Sequence, residues 1–150
     1  MRLGSLTRPE LIFVGLSAGD RTAVLRTLAE KVAATGLVGD ADELFRKLVE
    51  REQLGSTGIG SGVAIPHCKL KDLKRGMVAI AILDHGVDFG AADGLPVRLF
   101  FLVASPSESP AEHLQILVAI SRWLKADKHV EEILAVRDAQ AIYRLLQEES

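Results

Sequence analysis

Little in this chain of 150 residues runs to an extreme, and each scarcity removes a class of protein. There is one cysteine, Cys68, so no internal disulfide can form, which fits a reducing cytoplasm. Neither sign of charge dominates: 18 Lys and Arg stand against 20 Asp and Glu, a net charge of −2. The basic residues are scattered rather than striped, leaving no nucleic-acid footprint and no polybasic membrane patch. The opening residues lead only to a short apolar run, 11–16, broken by Gly15. That run is too short for a signal-peptide core, and no other segment approaches a membrane span, so direct membrane insertion is not expected. Low-complexity tracts, internal repeats and proline-rich linkers are missing as well. With 48% hydrophobic and 25% charged residues, the composition is that of an ordinary globular protein. Its length suits one domain, 1–150, with a sizeable core.

Periodicity and punctuation then divide the chain. Residues 11–14 read as a first strand. Asp20 reads as the N-cap of a helix to about Thr35, with Val24, Leu25, Leu28 and Val32 on one face and Gly36 as its stop. A second helix starts at Asp40, has Glu43 in capping-box spacing, and ends near Gln53. Its apolar face is Leu44, Phe45, Leu48 and Val49. Residues 62–65 read as a strand closed by Pro66. The nearly continuous apolar runs 77–83 and 97–104 suit strands covered on both faces. The link between them, through Gly86, Gly90 and Gly94, has no helical period, so these two strands should pair antiparallel. Ser109-Pro110-Ala111-Glu112 then opens a helix to about Trp123, and Asp127 and Asp138 read as caps of two short ones. The expected fold is an α/β single-domain sandwich, a mixed four- to five-stranded sheet with helices on both faces.

Chemistry concentrates at Gly58-Ile59-Gly60-Ser61-Gly62-Val63-Ala64-Ile65-Pro66-His67. Glycines let a backbone turn through positive φ and present its N–H groups. Pro66 should end the strand and leave His67 at its carboxyl end, the place where α/β proteins hold ligands. A histidine beside free backbone donors suits a phosphoryl group. His113, in the first turn of the Ser109 helix, shares a face with Leu117, Ile120 and Leu124 and points inward. Arg51, in the last turn of the second helix, could reach over the loop with a guanidinium fork, or could simply face solvent. His85 and His129 sit in polar surroundings without a partner pattern. No CxxC or HxxxH spacing supports a metal at His67 and Cys68. Gly55-Ser56-Thr57-Gly58-Ile59-Gly60 lacks the Gly-Lys-Ser/Thr of a Walker loop, and Asp88-Phe89-Gly90 has no kinase context.

Arg51-Glu52-Gln53-Leu54-Gly55-Ser56-Thr57-Gly58-Ile59-Gly60, followed by Val63-Ala64-Ile65-Pro66-His67 and later Glu112-His113-Leu114 with Leu117, closely resembles the enzyme IIA domains of the mannitol/fructose/nitrogen class of the phosphoenolpyruvate-dependent phosphotransferase system. The similarity spans essentially the whole chain and is nearest the nitrogen-regulatory branch. It implies an α/β sandwich whose His67 accepts a phosphoryl group from an HPr-like carrier protein, as a tele-phosphohistidine. The resemblance also implies that His113 positions the group and that Arg51 neutralises its charge. Loop donors at Ser56, Thr57, Gly58 and Gly60 are expected to hold its oxygens. No cofactor or metal is called for. The family commonly has glycine after the active histidine, where this chain has Cys68; a tolerated small residue is the simple reading, and an oxidisable block on phosphorylation the sharper one.

Three functions follow from the resemblance: a cytoplasmic phosphocarrier regulating target proteins, a fructose- or mannitol-type component passing phosphate to a sugar-transport IIB domain, or a non-catalytic interaction module. Leu54, Ile59 and Val63 are candidates for carrier docking.

Overall fold

The computed structural model describes residues 1–126 and 128–149; the cap expected at Asp127 lies outside them. Helix starts follow their local signals. The Asp20 carboxylate accepts from the Ala23 N–H at 2.8 Å and caps α1, Arg21–Ala34. Asp40 accepts from the Asp42 and Glu43 N–H groups and caps α2, Ala41–Gln53. The Asp138 carboxylate takes the Ala141 N–H at 3.1 Å ahead of α5, Ala139–Glu149. Two other helices, α3 (Pro110–Lys125) and α4 (His129–Ala135), lie between.

One cap fails. The Ser109 side chain makes no capping bond, and the Glu112 carboxylate accepts instead from the Gly76 N–H at 2.8 Å. A Cβ at position 76 would run into the Ile116 side chain, so only glycine lets this connection lie against α3.

The strands are β1 (Ile12–Leu16), β2 (Gly58–Gly60), β3 (Val63–Ala64), β4 (His67–Leu70), β5 (Met77–Val87) and β6 (Val97–Pro106). They form a six-stranded sheet in the order β1-β5-β6-β3-β2, with β4 also paired to β6. As expected, β5 and β6 are antiparallel, while β1 joins β5 and both β3 and β4 join β6 in parallel. His85 belongs to the extended end of β5.

Around Pro66 the structure corrects the sequence reading. Val63 pairs with Leu99 and His67 with Val103, at the same sequence offset. β3 and β4 are therefore two halves of one strand line. Pro66 has no N–H to give, but its carbonyl accepts from the Val103 N–H at 2.9 Å, so the line continues through the gap. His67 opens the second half instead of closing the first.

Period-two alternation sends successive residues of β5 and β6 to opposite faces. Ala79, Ala81, Phe100, Leu102 and Ala104 pack with α1 and α2 in one cluster. Val78, Ile80, Phe101 and Val103 pack with α3, α4 and α5 in the other. This double cover explains the unbroken apolar runs. It also places His67, beside Val103 in the register, on the α3 face.

Candidate functional site

Three distant segments meet at one cleft, lined by Lys47, Glu50, Arg51, Leu54, His67, Cys68, Lys69, His113 and Leu117. The last turn of α2 supplies Arg51, β4 supplies His67, and the first turns of α3 supply His113.

Hydrogen bonding fixes the His67 ring. Its Nδ1 lies 2.8 Å from the Ile65 carbonyl oxygen, which can only accept, so Nδ1 carries the proton. That leaves a lone pair on Nε2, which accepts from the Arg51 Nε–H at 3.1 Å. Arg51 is held in turn by an Nη1–H bond to the Gly55 carbonyl at 2.9 Å. Burial lowers the His67 pKa below its ordinary value; the Ile65 bond opposes this and the Arg51 charge adds to it. The ring is thus neutral at pH 7, with a nucleophilic nitrogen available.

His113 stands with its ring centroid 5.3 Å from that of His67, the planes tilted by 55°. Its Nδ1 is hydrogen-bonded to the Ser105 hydroxyl at the end of β6. Burial, then the neighbouring His67 and Lys69, bring its pKa down to about 4.

The side chains and N–H groups of the glycine-rich loop make internal bonds. The Thr57 N–H and hydroxyl both donate to the buried Glu52 carboxylate, at 2.9–3.0 Å. The Ser56 hydroxyl donates to the Phe89 carbonyl at 2.6 Å and takes the Gly58 N–H at 2.9 Å. Those donors are spent inside the protein, and none of Ser56, Thr57, Gly58 or Gly60 lines the cleft. Gly60 and Gly62 sit at φ +93° and +78°, turning β2 into β3. The loop fixes the approach of the strand, and its Thr57 and Gly58 N–H groups already have partners within the protein.

Cys68 faces the α1/α2 core, and burial pushes its thiol up to about 12. A buried thiol held protonated has little nucleophilic character. Among the docking candidates Leu54 and Ile59 are 84% and 57% exposed, whereas Val63 is core at 2%. His129 is a core residue, its Nδ1 2.6 Å from the Trp123 carbonyl and its ring stacked on the indole.

Sequence reasoning missed Lys69, Ser105 and Glu52. Lys69 is two residues beyond His67 on the same strand face, a signal lost once the strand was ended at Pro66. Ser105 was visible as the one hydroxyl closing an apolar run. Glu52 carried no signal, since a glutamate in a helix is ordinarily exposed.

Two imidazoles and a guanidinium thus share one open cleft, with a neutral imidazole nitrogen turned toward the arginine. The chain belongs to the family described as phosphoenolpyruvate-dependent sugar phosphotransferase system, EIIA 2, which it matches over residues 5–149. It is 40% identical over 147 residues to a nitrogen regulatory protein of Bradyrhizobium diazoefficiens, covering 97% of this chain and 95% of that one. A nitrogen regulatory protein of Pseudomonas aeruginosa is 36% identical over 146 residues, with 97% and 95% covered. Among solved structures, nitrogen regulatory protein IIA-Ntr from Neisseria meningitidis superposes with a TM-score of 0.87 at 27% identity, covering 95% of this chain and 97% of that one. The protein is a phosphotransferase-system IIA protein, and its similarity to nitrogen regulatory proteins extends over nearly the whole length.

Proposed function

We propose that this protein is a histidine phosphocarrier of the nitrogen-regulatory kind, charged at His67 by the phosphohistidine of a small HPr-like carrier. The observation that carries the reading is the His67 Nε2 lone pair, presented in the cleft with the Arg51 Nε–H already on it at 3.1 Å. In the transfer, the Nε2–P bond forms as the donor's N–P bond breaks, while the proton stays on Nδ1, still donated to the Ile65 carbonyl. Nε2 then has no lone pair to offer, so the Arg51 N–H turns to the phosphoryl oxygens. Positioning and charge stabilisation of this kind carry most of the work in phosphoryl transfer. His113 donates a further hydrogen bond to the same group.

The names of the relatives favour a regulatory role over sugar uptake. Incubation with phosphoenolpyruvate, enzyme I and an HPr-like carrier, followed by intact mass, should show one acid-labile, base-stable phosphate that His67→Ala loses. Full phosphorylation of that variant would overturn the assignment, and no phosphorylation of the wild type would leave a non-catalytic module. Rapid onward transfer to a sugar-transport IIB domain would mark the fructose- or mannitol-type component instead.

A further inference from the structure

Resting on that reading, we infer that Ser105 is a positioning residue of the site: its hydroxyl fixes His113 in the tautomer whose Nε2–H is free to meet the phosphoryl group. The inference starts from a count of hydrogens. Ser105 is fully buried, and among the described residues its hydroxyl has one hydrogen-bonding neighbour, His113 Nδ1. A buried O–H without an acceptor is costly, by about 1–3 kcal/mol. If Nδ1 carried the ring proton it would donate to the Ser105 oxygen, and the hydroxyl hydrogen would have nowhere to go. If the hydroxyl donates to Nδ1, both atoms of this contact are satisfied, and the ring proton must sit on Nε2, on a ring that lines the cleft.

The two histidines are therefore set in complementary states by their Nδ1 partners. A carbonyl, which can only accept, makes His67 Nε2 a lone-pair nitrogen. A hydroxyl with no other acceptor among the described residues makes His113 Nε2 a donor. The arrangement suits an acceptor nitrogen next to a donor for the oxygens it will carry. The opposite tautomer of His113 would aim a second lone pair at an anion. Strand geometry makes Ser105 the residue able to do this: it lies two positions past Val103 on β6, on the same face as His67, and pairs in register with Lys69.

Long-range proton–nitrogen correlation NMR on the unphosphorylated protein, with His113 assigned by comparison with His113→Gln, reads the tautomer without any transfer reaction. The wild type should show the Nε2–H form of His113. Ser105→Ala, which removes one oxygen atom, should show a mixture of the two neutral forms. In a carrier-to-His67 transfer assay the same variant should lose roughly tenfold in kcat with KM unchanged, the scale of one well-placed hydrogen bond. A wild-type His113 protonated on Nδ1, or an Ala variant with an unchanged tautomer, would overturn the inference. Failure of the wild type to take up phosphate would sink the functional reading and leave the NMR result standing by itself.

Discussion

At the scale of single residues, the guanidinium of Arg51 does two things that an ammonium cannot do together. Its Nε–H meets His67 Nε2 while Nη1–H holds the Gly55 carbonyl, a fork geometry that lysine lacks. Arg51→Lys should therefore keep the fold and lower the rate of phosphoryl uptake by roughly 10–100-fold, the scale for losing one preorganised donor. Stopped-flow transfer from a phosphorylated carrier, alongside a circular dichroism spectrum, checks both halves. The pH profile follows from His67 itself. Because its pKa lies below the ordinary 6.5, the neutral acceptor is already dominant at pH 7. Uptake should be flat from about pH 7 to 8 and fall only in acid; a rate that keeps climbing through neutrality would contradict the buried, arginine-paired ring. That His67, His113 and Arg51 meet at one cleft was expected mainly from the family resemblance, since residue type alone left Arg51 free to face solvent. Ser105 was not legible, since a lone serine in an apolar run says nothing about which ring it will touch.

Elements depend on a buried carboxylate that no periodicity revealed. Glu52, 6% exposed at the end of α2, accepts the backbone N–H and the hydroxyl of Thr57. It ties the helix to the strand line carrying His67. Glu52→Ala should cost about 2–3 kcal/mol, the worth of hydrogen bonds to a charged acceptor, read as a lower urea midpoint with unchanged slope. It should slow phosphoryl uptake as well, since the last turn of α2, which carries Arg51, loses its side-chain tie to the loop. The helices α1 and α2 could be read in advance because aspartate caps, apolar stripes and a stop glycine act within a few residues. β2 and β4 could not: Gly58-Ile59-Gly60 has poor strand propensity, and the restart at His67 depends on β6, far away in sequence. The missing Ser109 cap has the same origin, because a tertiary bond from Gly76 claims Glu112.

For the whole molecule, the sandwich and its mixed sheet were legible from the order and hydrophobicity of the runs, whereas the register that unites β3 and β4 was not, being a long-range pairing. Global stability should carry the signature of the site. The pKa of His113 is brought down from 6.5 to about 4 in the folded protein, so the unfolded chain takes up that proton first. Its contribution is fully present above pH 6.5 and is lost as pH falls towards 4. Thermal denaturation across that range should give a melting temperature that drops in acid, and His113→Gln should flatten the drop. A wild-type slope that survives the substitution unchanged would assign the acid sensitivity elsewhere. Phe100, fully buried where β6 meets the α1/α2 layer, reports on the opposite face. Phe100→Ala should remove about 3–5 kcal/mol, measured by urea unfolding.

The arrangement along β6 has a consequence for anyone who would alter or transplant this chemistry. One strand lays Val103 beside the acceptor ring and, two steps on, reaches the second ring through its hydroxyl. A single inserted or deleted residue there would turn every later side chain to the other side of the sheet, separating the pair at a stroke. Surface loops can drift in length over generations; this stretch is the gauge block against which both imidazoles are set, and a grafted copy would have to bring it along whole.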